Sequence, residues 1–368
     1  MHRNLLIKSA SGNCNMHCAY CFYRDEMANR EVASYGFMSK ETAHTLIDKV
    51  LSSSSTCSFG FQGGEPTLST LPFFKDFVSY AEKIGKGRFS FALQTNGFNI
   101  DKEWASFFHK NNFLVGLSLD GNRTIHDHYR KGKDGSGSFN RVLETSRLFK
   151  EEGVEFNILT TVTKDVALNI DLINSYYKRK GFKHIQYIPC LDRIGDERGE
   201  SSYSLTPSLF ATFLCKTFDF YYQAWLDGEY VSIRYFDNLV HMLLRRVPEE
   251  CGMSGICGLN YVIEADGSVY PCDFYVLDEY KIGNINEDSF LKIDKNREKI
   301  GFVEKSKEVS EECKSCRFFP ICRGGCRRNR DTFTSSPLML NYFCSSYKGF
   351  FSYAIERLEY MASMEAKV

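Results

Sequence analysis

Short runs of β-branched and aromatic residues alternate with amphipathic runs from the N-terminus to about residue 225. The apolar runs predict strands at Asn4–Ser9, Thr56–Gln62, Arg88–Gln94, Phe113–Leu119, Glu155–Val162 and His184–Cys190. Helical periodicity predicts helices at Lys40–Leu51, Leu71–Ile84, Lys102–Lys110, Phe139–Glu152, Ile170–Lys180 and Pro207–Trp225. Ser39 and Asp101 stand where N-caps belong, and Gly85 and Gly153 where helices end. A series of strand-then-helix units implies an α/β chain with a parallel sheet and right-handed crossovers, as an open barrel or a doubly wound sheet.

Beyond residue 230 this rhythm breaks. The remainder is rich in Cys, Gly and Arg, with short strand-like pieces at Tyr261–Glu264 and Ser268–Tyr270 and a closing helix at Tyr347–Ala362. Such segments bury little apolar surface and call for metal as a staple. The expected organisation is a barrel-sized domain over 1–230 and a smaller one over 231–368, with the boundary between 231 and 250.

Composition narrows the function classes. Hydrophobic residues make up 43% of 368, enough for a sizeable core. Basic and acidic residues balance at 46 each, which argues against nucleic acid or an anionic membrane as the main partner. No window approaches the ~20 apolar residues that span a bilayer, and the opening MHRNLLIKSASGNCN has no signal-peptide character. A cytoplasmic protein is expected. In that reducing compartment 14 cysteines point to metal or redox chemistry rather than disulfides.

The cysteines are clustered. Cys14, Cys18 and Cys21 form C-x3-C-x2-C directly after the first strand, beside Tyr20, Phe22 and Tyr23. Three thiolates leave one iron of a [4Fe–4S] cluster without a protein ligand, which is useful if a cofactor binds there; a three-Cys zinc site is the alternative. The ends of the next strands are polar: Gln62-Gly63-Gly64-Glu65-Pro66, Gln94-Thr95-Asn96-Gly97 and Ser118-Leu119-Asp120-Gly121. Ligand-binding groups gather at such C-terminal strand ends in parallel α/β folds. Eight cysteines follow later, Cys251, Cys257 and Cys272, then Cys313, Cys316, Cys322, Cys326 and Cys344. Eight suits two fully ligated clusters, provided the first group borrows a ligand from the second, although C-x2-C pairs also make zinc knuckles. Cys57, Cys190 and Cys215 read as buried thiols.

The first triplet resembles the cluster motif of the radical S-adenosylmethionine superfamily, and the later spacing resembles its SPASM auxiliary-cluster extension. Ser232-Ile233-Arg234-Tyr235-Phe236-Asp237, the stretch Cys251–Cys257, Ser268–Val276, Cys322–Arg328 and Leu340–Cys344 closely resemble the anaerobic sulfatase-maturating enzymes, over about residues 5–355. The resemblance implies a partial (β/α)6 TIM-like barrel with a small C-terminal iron–sulfur domain. It implies three [4Fe–4S] clusters and S-adenosyl-L-methionine, cleaved reductively to a 5′-deoxyadenosyl radical. Cys251, Cys257, Cys272 and Cys326 would hold one auxiliary cluster, and Cys313, Cys316, Cys322 and Cys344 the other. Tyr20, Gly64, Ser118, Arg130 and Leu191 would contact the cofactor. Asp273 would be the base, and Gln62, Arg234 and Tyr235 would touch the substrate peptide.

The implied reaction oxidises a Cys or Ser side chain of an unfolded or nascent sulfatase to Cα-formylglycine, with electrons from a flavodoxin- or ferredoxin-type donor. A peptide maturase forming thioether or carbon–carbon cross-links is the rival within the superfamily. Many such maturases carry an N-terminal leader-binding module, for which the position of Cys14 leaves no room. Gly258-Leu259-Asn260 departs from some relatives and bears on local substrate contacts.

Overall fold

The computed structural model describes residues 2–333 and 338–366. The chain divides into two compact units, each discontinuous in sequence. The first comprises Met1–Leu119, His126–Asn157 and Leu259–Phe302; the second comprises Asp120–Ile125, Ile158–Gly258 and Val303–Val368.

In the first unit, strands β1 (His2–Ile7), β2 (Thr56–Phe61), β3 (Phe89–Thr95) and β4 (Phe113–Ser118) lie side by side in that order, all parallel. Each after the first follows a helical crossover: α1 (Phe22–Ala28) and α2 (Lys40–Ser53) before β2, α3 (Leu71–Gly85) before β3, and α4 (Lys102–Lys110) before β4. Ser39 and Asp101 cap α2 and α4 through Thr42 N and Trp104 N, as their positions predicted. The register sets Asn4 beside Ser58 and Ser58 beside Ser90, then Leu6 beside Gly60 and Gly60 beside Ala92. Apart from Leu6 and Leu114, this face of the sheet is therefore small or polar. The other carries Leu5, Ile7, Phe59, Phe61, Phe91, Leu93 and Val115, all buried. Edge-on aromatic pairs such as Phe61–Phe74 at 4.8 Å and Phe74–Trp104 at 5.3 Å fill the space beneath the helices. The bulk lies under the helices, which leaves the opposite face free to receive ligands.

Three later strands join this sheet. They are β8 (Asn260–Ile263), β9 (Ser268–Tyr270) and β10 (Gly283–Asn284), where β5 to β7 belong to the intervening chain. The β8 strand runs parallel to β1, pairing Leu5 with Tyr261, and β9 and β10 follow antiparallel. The pieces predicted after residue 260 thus extend the sheet beside its first strand.

The second unit carries β5 (Phe156–Val162, which begins in the first unit), β6 (His184–Pro189) and the two-residue β7 (Ser232–Ile233), mutually parallel. Helix Pro207–Leu226 packs along the C-terminal helix Cys344–Glu365. Phe218, Phe236 and Phe350 meet pairwise at 5.3–5.7 Å between them and helix Arg234–Leu243. The C-terminal helix begins three residues earlier than predicted, at Cys344 itself. Cys57 and Cys190 are buried, but Cys215 is only half-buried. Among the described residues no helix is long and apolar enough to cross a membrane.

Candidate active site

The loop between β1 and α1 presents Cys14, Cys18 and Cys21, half-buried thiols that form no disulfide. It is held by its backbone: Cys21 N–H donates to Cys18 O, and His17 and Ala19 N–H donate to Lys131 and Tyr129 O. Met16 N–H lies 3.4 Å and Asn96 Nδ2 3.7 Å from Cys14 Sγ. Burial, with the Glu65 carboxylate nearby, pushes the Cys14 thiol up to about 11. A sulfur so placed becomes thiolate only when positive charge, such as iron, sits against it.

The neighbouring strand ends close on this loop. Gly64 has φ +53, and a Cβ there would fall 2.2 Å from Asn13 O, so only glycine lets this turn lie against the cysteine loop. Glu65 accepts from Thr67 N–H, Thr67 Oγ1 and Thr95 Oγ1 on one oxygen, and from Asn96 N–H on the other. It is a buried staple between the β2 and β3 turns. Nothing in the sequence distinguished Glu65 from an ordinary turn residue. Tyr20 lies edge-on to Tyr129 at 5.9 Å, with the Arg130 guanidinium 5.5 Å from its ring. Ser118 closes β4, buried. Four of the five predicted cofactor contacts are thus in the first unit; Leu191, after β6, is in the second.

Asp273 begins a short 3₁₀ turn, Asp273–Tyr275, directly after Cys272. Its Oδ2 accepts from Tyr23 Oη at 2.7 Å and from Gln62 Nε2 at 3.1 Å, while Gln62 also donates to Tyr23 Oη at 2.6 Å. Its Oδ1 is buried without a hydrogen-bond partner. Burial pushes the carboxyl up; the Lys8 charge and the Tyr23 hydroxyl pull against it. Lys8, Glu26, Arg30 and Glu264, all buried, form a charge network below it, with Lys8–Glu26 at 3.3 Å, Lys8–Glu264 at 3.6 Å and Arg30–Glu264 at 2.7 Å. None of the four was singled out in the sequence, because single charges at strand ends and on short helices usually read as solvated.

In the second unit, Cys313, Cys316, Cys322 and Cys344 wall a recess together with Phe318 and Tyr347. Ser310 caps the turn that carries Cys313, and Cys344 is the first residue of the long C-terminal helix, where burial pushes its thiol up against the pull of the Lys348 charge. Cys251, Cys257 and Cys326 form a second group. A Cβ on Gly252 would lie 3.3 Å from Cys326 Cβ, and the charges of Cys251 and Cys257 act on Cys326, whose thiol burial pushes up to about 12. Cys272, predicted to join them, is in the first unit. Among the described residues no three His, Cys, Asp or Glu side chains converge as ligands of a single metal ion. The sulfur-only donor sets, one of them spread around a recess, fit cubane clusters.

Arg234, first residue of its helix, donates to Gln186 Oε1 at 3.2 Å and lies 3.7 Å from Glu249. Tyr235 is half-buried and packs on Phe236 and Phe350.

Residues 9–167 match the family model of the radical SAM superfamily, and residues 257–317 that of an iron–sulfur cluster-binding domain. The chain is 44% identical over 98% of its length to a cysteine-type anaerobic sulfatase-maturating enzyme of Clostridium novyi, covering 97% of that protein. It is 30% identical over 97% of its length to a serine-type anaerobic sulfatase-maturating enzyme of Bacteroides thetaiotaomicron, covering 90% of it. The solved structure of native anSMEcpe with bound AdoMet and the Cp18Cys peptide superposes with a TM-score of 0.94 at 44% identity, covering 99% of each chain.

Proposed function

The chain belongs to the anaerobic sulfatase-maturating enzymes of the radical S-adenosylmethionine superfamily, and we infer that it oxidises a Cys side chain of a sulfatase to Cα-formylglycine. Its fold is the α/β partial barrel of that family with a small iron–sulfur domain, and its cofactors are [4Fe–4S] clusters and S-adenosylmethionine. Identity of 44–46% to cysteine-type relatives, against 30% or less to serine-type ones, supports Cys as the preferred substrate residue.

When bound, the cofactor and its cluster supply abstraction of a hydrogen atom from the substrate Cβ. The reading assigns Cys14, Cys18 and Cys21 to the cluster that binds the cofactor, with Tyr20, Gly64, Ser118, Arg130 and Leu191 around the cofactor itself. Cys251, Cys257, Cys272 and Cys326, and then Cys313, Cys316, Cys322 and Cys344, hold the two auxiliary clusters. Loss of a Cβ hydrogen atom, the thiol proton and one electron, which an auxiliary cluster would accept, leaves a thioaldehyde, which water converts to the aldehyde with release of hydrogen sulfide. Asp273 takes the thiol proton. The single observation that carries this is its asymmetric carboxylate, with Oδ2 held by Tyr23 and Gln62 and Oδ1 left without a partner. A buried carboxylate with one vacant acceptor, oriented through the other, is what a general base requires. Gln62 therefore reads as an orienting group for the base as well as a peptide contact, and Arg234 and Tyr235 as peptide contacts.

The substrate is an extended segment of unfolded or nascent sulfatase, and the electron donor a flavodoxin- or ferredoxin-type protein. Anaerobic incubation of the reconstituted enzyme with a Cys-containing sulfatase-type peptide tests this. The product should exchange sulfur for oxygen, lose two hydrogens and react with a hydrazine probe. A product of altered mass that carries no aldehyde sinks the reading in favour of cross-linking.

A further inference from the structure

Helix α1 leaves the cysteine loop with Cys21 at its N-cap, and its side chains grip the turn that carries Asp273. Phe22 packs edge-on against Phe274 at 5.0 Å. Tyr23 holds Asp273 Oδ2. One turn further along the same face, Glu26 Oε1 accepts from Val276 N–H at 3.4 Å. The other oxygen of Glu26 faces Lys8 Nζ, which also lies 4.7 Å from the centroid of the Tyr23 ring. Lys8 therefore touches two of the three gripping elements, the aromatic face that positions the base and the carboxylate that fixes the end of its turn.

Buried ion networks are a poor source of stability, because desolvation offsets their attraction and apolar replacements often do as well. Four buried charges directly under one turn call for a different physical role. Lys8 faces both Glu26 and Glu264, and Arg30 pairs with Glu264; burial pushes the Glu26 carboxyl up to about 8, yet its two oxygens stay directed at Lys8 Nζ and Val276 N–H.

Building on the assignment of Asp273 as base, we propose that Glu26 and Lys8 are positioning residues that lock the Asp273–Val276 segment onto α1 and so aim Asp273 Oδ1 at the substrate thiol. Because α1 starts at Cys21, the base is registered against the loop that holds the cofactor's cluster. Neither residue touches substrate. Their loss leaves radical generation intact but loosens the base, and misplacement of about 1 Å costs on the order of a hundredfold in rate.

The test uses the cluster-loaded full chain and compares Glu26→Ala with Glu26→Gln, which keeps an acceptor for Val276 N–H. Two quantities are read: formylglycine formed per deoxyadenosine, and hydrogen exchange of the segment containing Val276. Glu26→Ala should lower the product ratio about ten- to a hundredfold and speed exchange at Val276, with peptide KM unchanged; Glu26→Gln should restore most of both. The ratio does not depend on how much enzyme folds. Lys8→Met gives an independent arm, with a lowered ratio partly rescued by Lys8→Arg. A wild-type product ratio in both Glu26→Ala and Lys8→Met overturns the proposal. If the wild-type enzyme itself makes no aldehyde, or Asp273→Asn keeps the full ratio, the functional reading fails instead.

Discussion

Tyr23 donates its hydroxyl hydrogen to Oδ2 of Asp273 at 2.7 Å across 250 positions of sequence. Burial and the neighbouring carboxylate keep this phenol protonated, pushing its ionisation well above the ordinary range. It is therefore a permanent donor, and Asp273 is left with a single acceptor oxygen free for chemistry.

Replacing Asp273 by Asn keeps the shape of that group but removes its ability to take a proton. Cofactor cleavage should persist while aldehyde formation falls ~10²–10⁴-fold, the usual contribution of a general base. Deoxyadenosine then accumulates without matching formylglycine. Chromatographic measurement of both products decides it; aldehyde at the wild-type rate places the base elsewhere.

The combined Cys14→Ala, Cys18→Ala and Cys21→Ala variant should lose one third of the iron and all cofactor cleavage, while both auxiliary clusters remain. Iron and sulfide analysis with electron paramagnetic resonance of the reduced protein checks it. Retained cleavage, or zinc in place of iron in the C-terminal cysteines, contradicts the assignment.

Gly64→Ala should act through the cysteine loop. A left-handed conformation costs a non-glycine residue about 1–2 kcal/mol, and the added Cβ meets Asn13 O at 2.2 Å. Asn13 must move, and Cys14 with it. Weaker S-adenosylmethionine binding in an equilibrium titration is expected, along with faster loss of the first cluster in air. Unchanged affinity would show that the Gly63–Gly64 turn does not press on the loop.

Arg30→Met leaves Glu264 buried with Lys8, among the described residues, as its one remaining cationic partner, shared with Glu26. Breaking one side of a buried pair costs about 3–5 kcal/mol, whereas removing both can be nearly neutral. Denaturant unfolding of the cluster-loaded enzyme should show that loss for the single variant and a partial recovery for Arg30→Met with Glu264→Leu. Equal destabilisation in both would mean the network contributes through packing alone.

The alternation of apolar strands with amphipathic helices placed β2 to β6 within one or two residues, because burial on one face imposes a short period that local sequence cannot hide. Spacing also grouped the cysteines, since three thiols within eight residues must share a loop. What sequence could not determine is which distant segments meet. The β8 strand is four residues long and pairs with β1 more than 250 positions earlier; so short a run carries almost no periodic signal. Helix α1 has only seven residues, two turns at most and too few to show a helical period, and Phe22, Tyr23 and Glu26 hold it to the distant turn at Asp273. Lys8, Glu26, Arg30 and Glu264 look like solvated charges one at a time. Only the tertiary structure buries them together, because a charge becomes tolerable in the interior when an opposite charge from another part of the chain is brought against it.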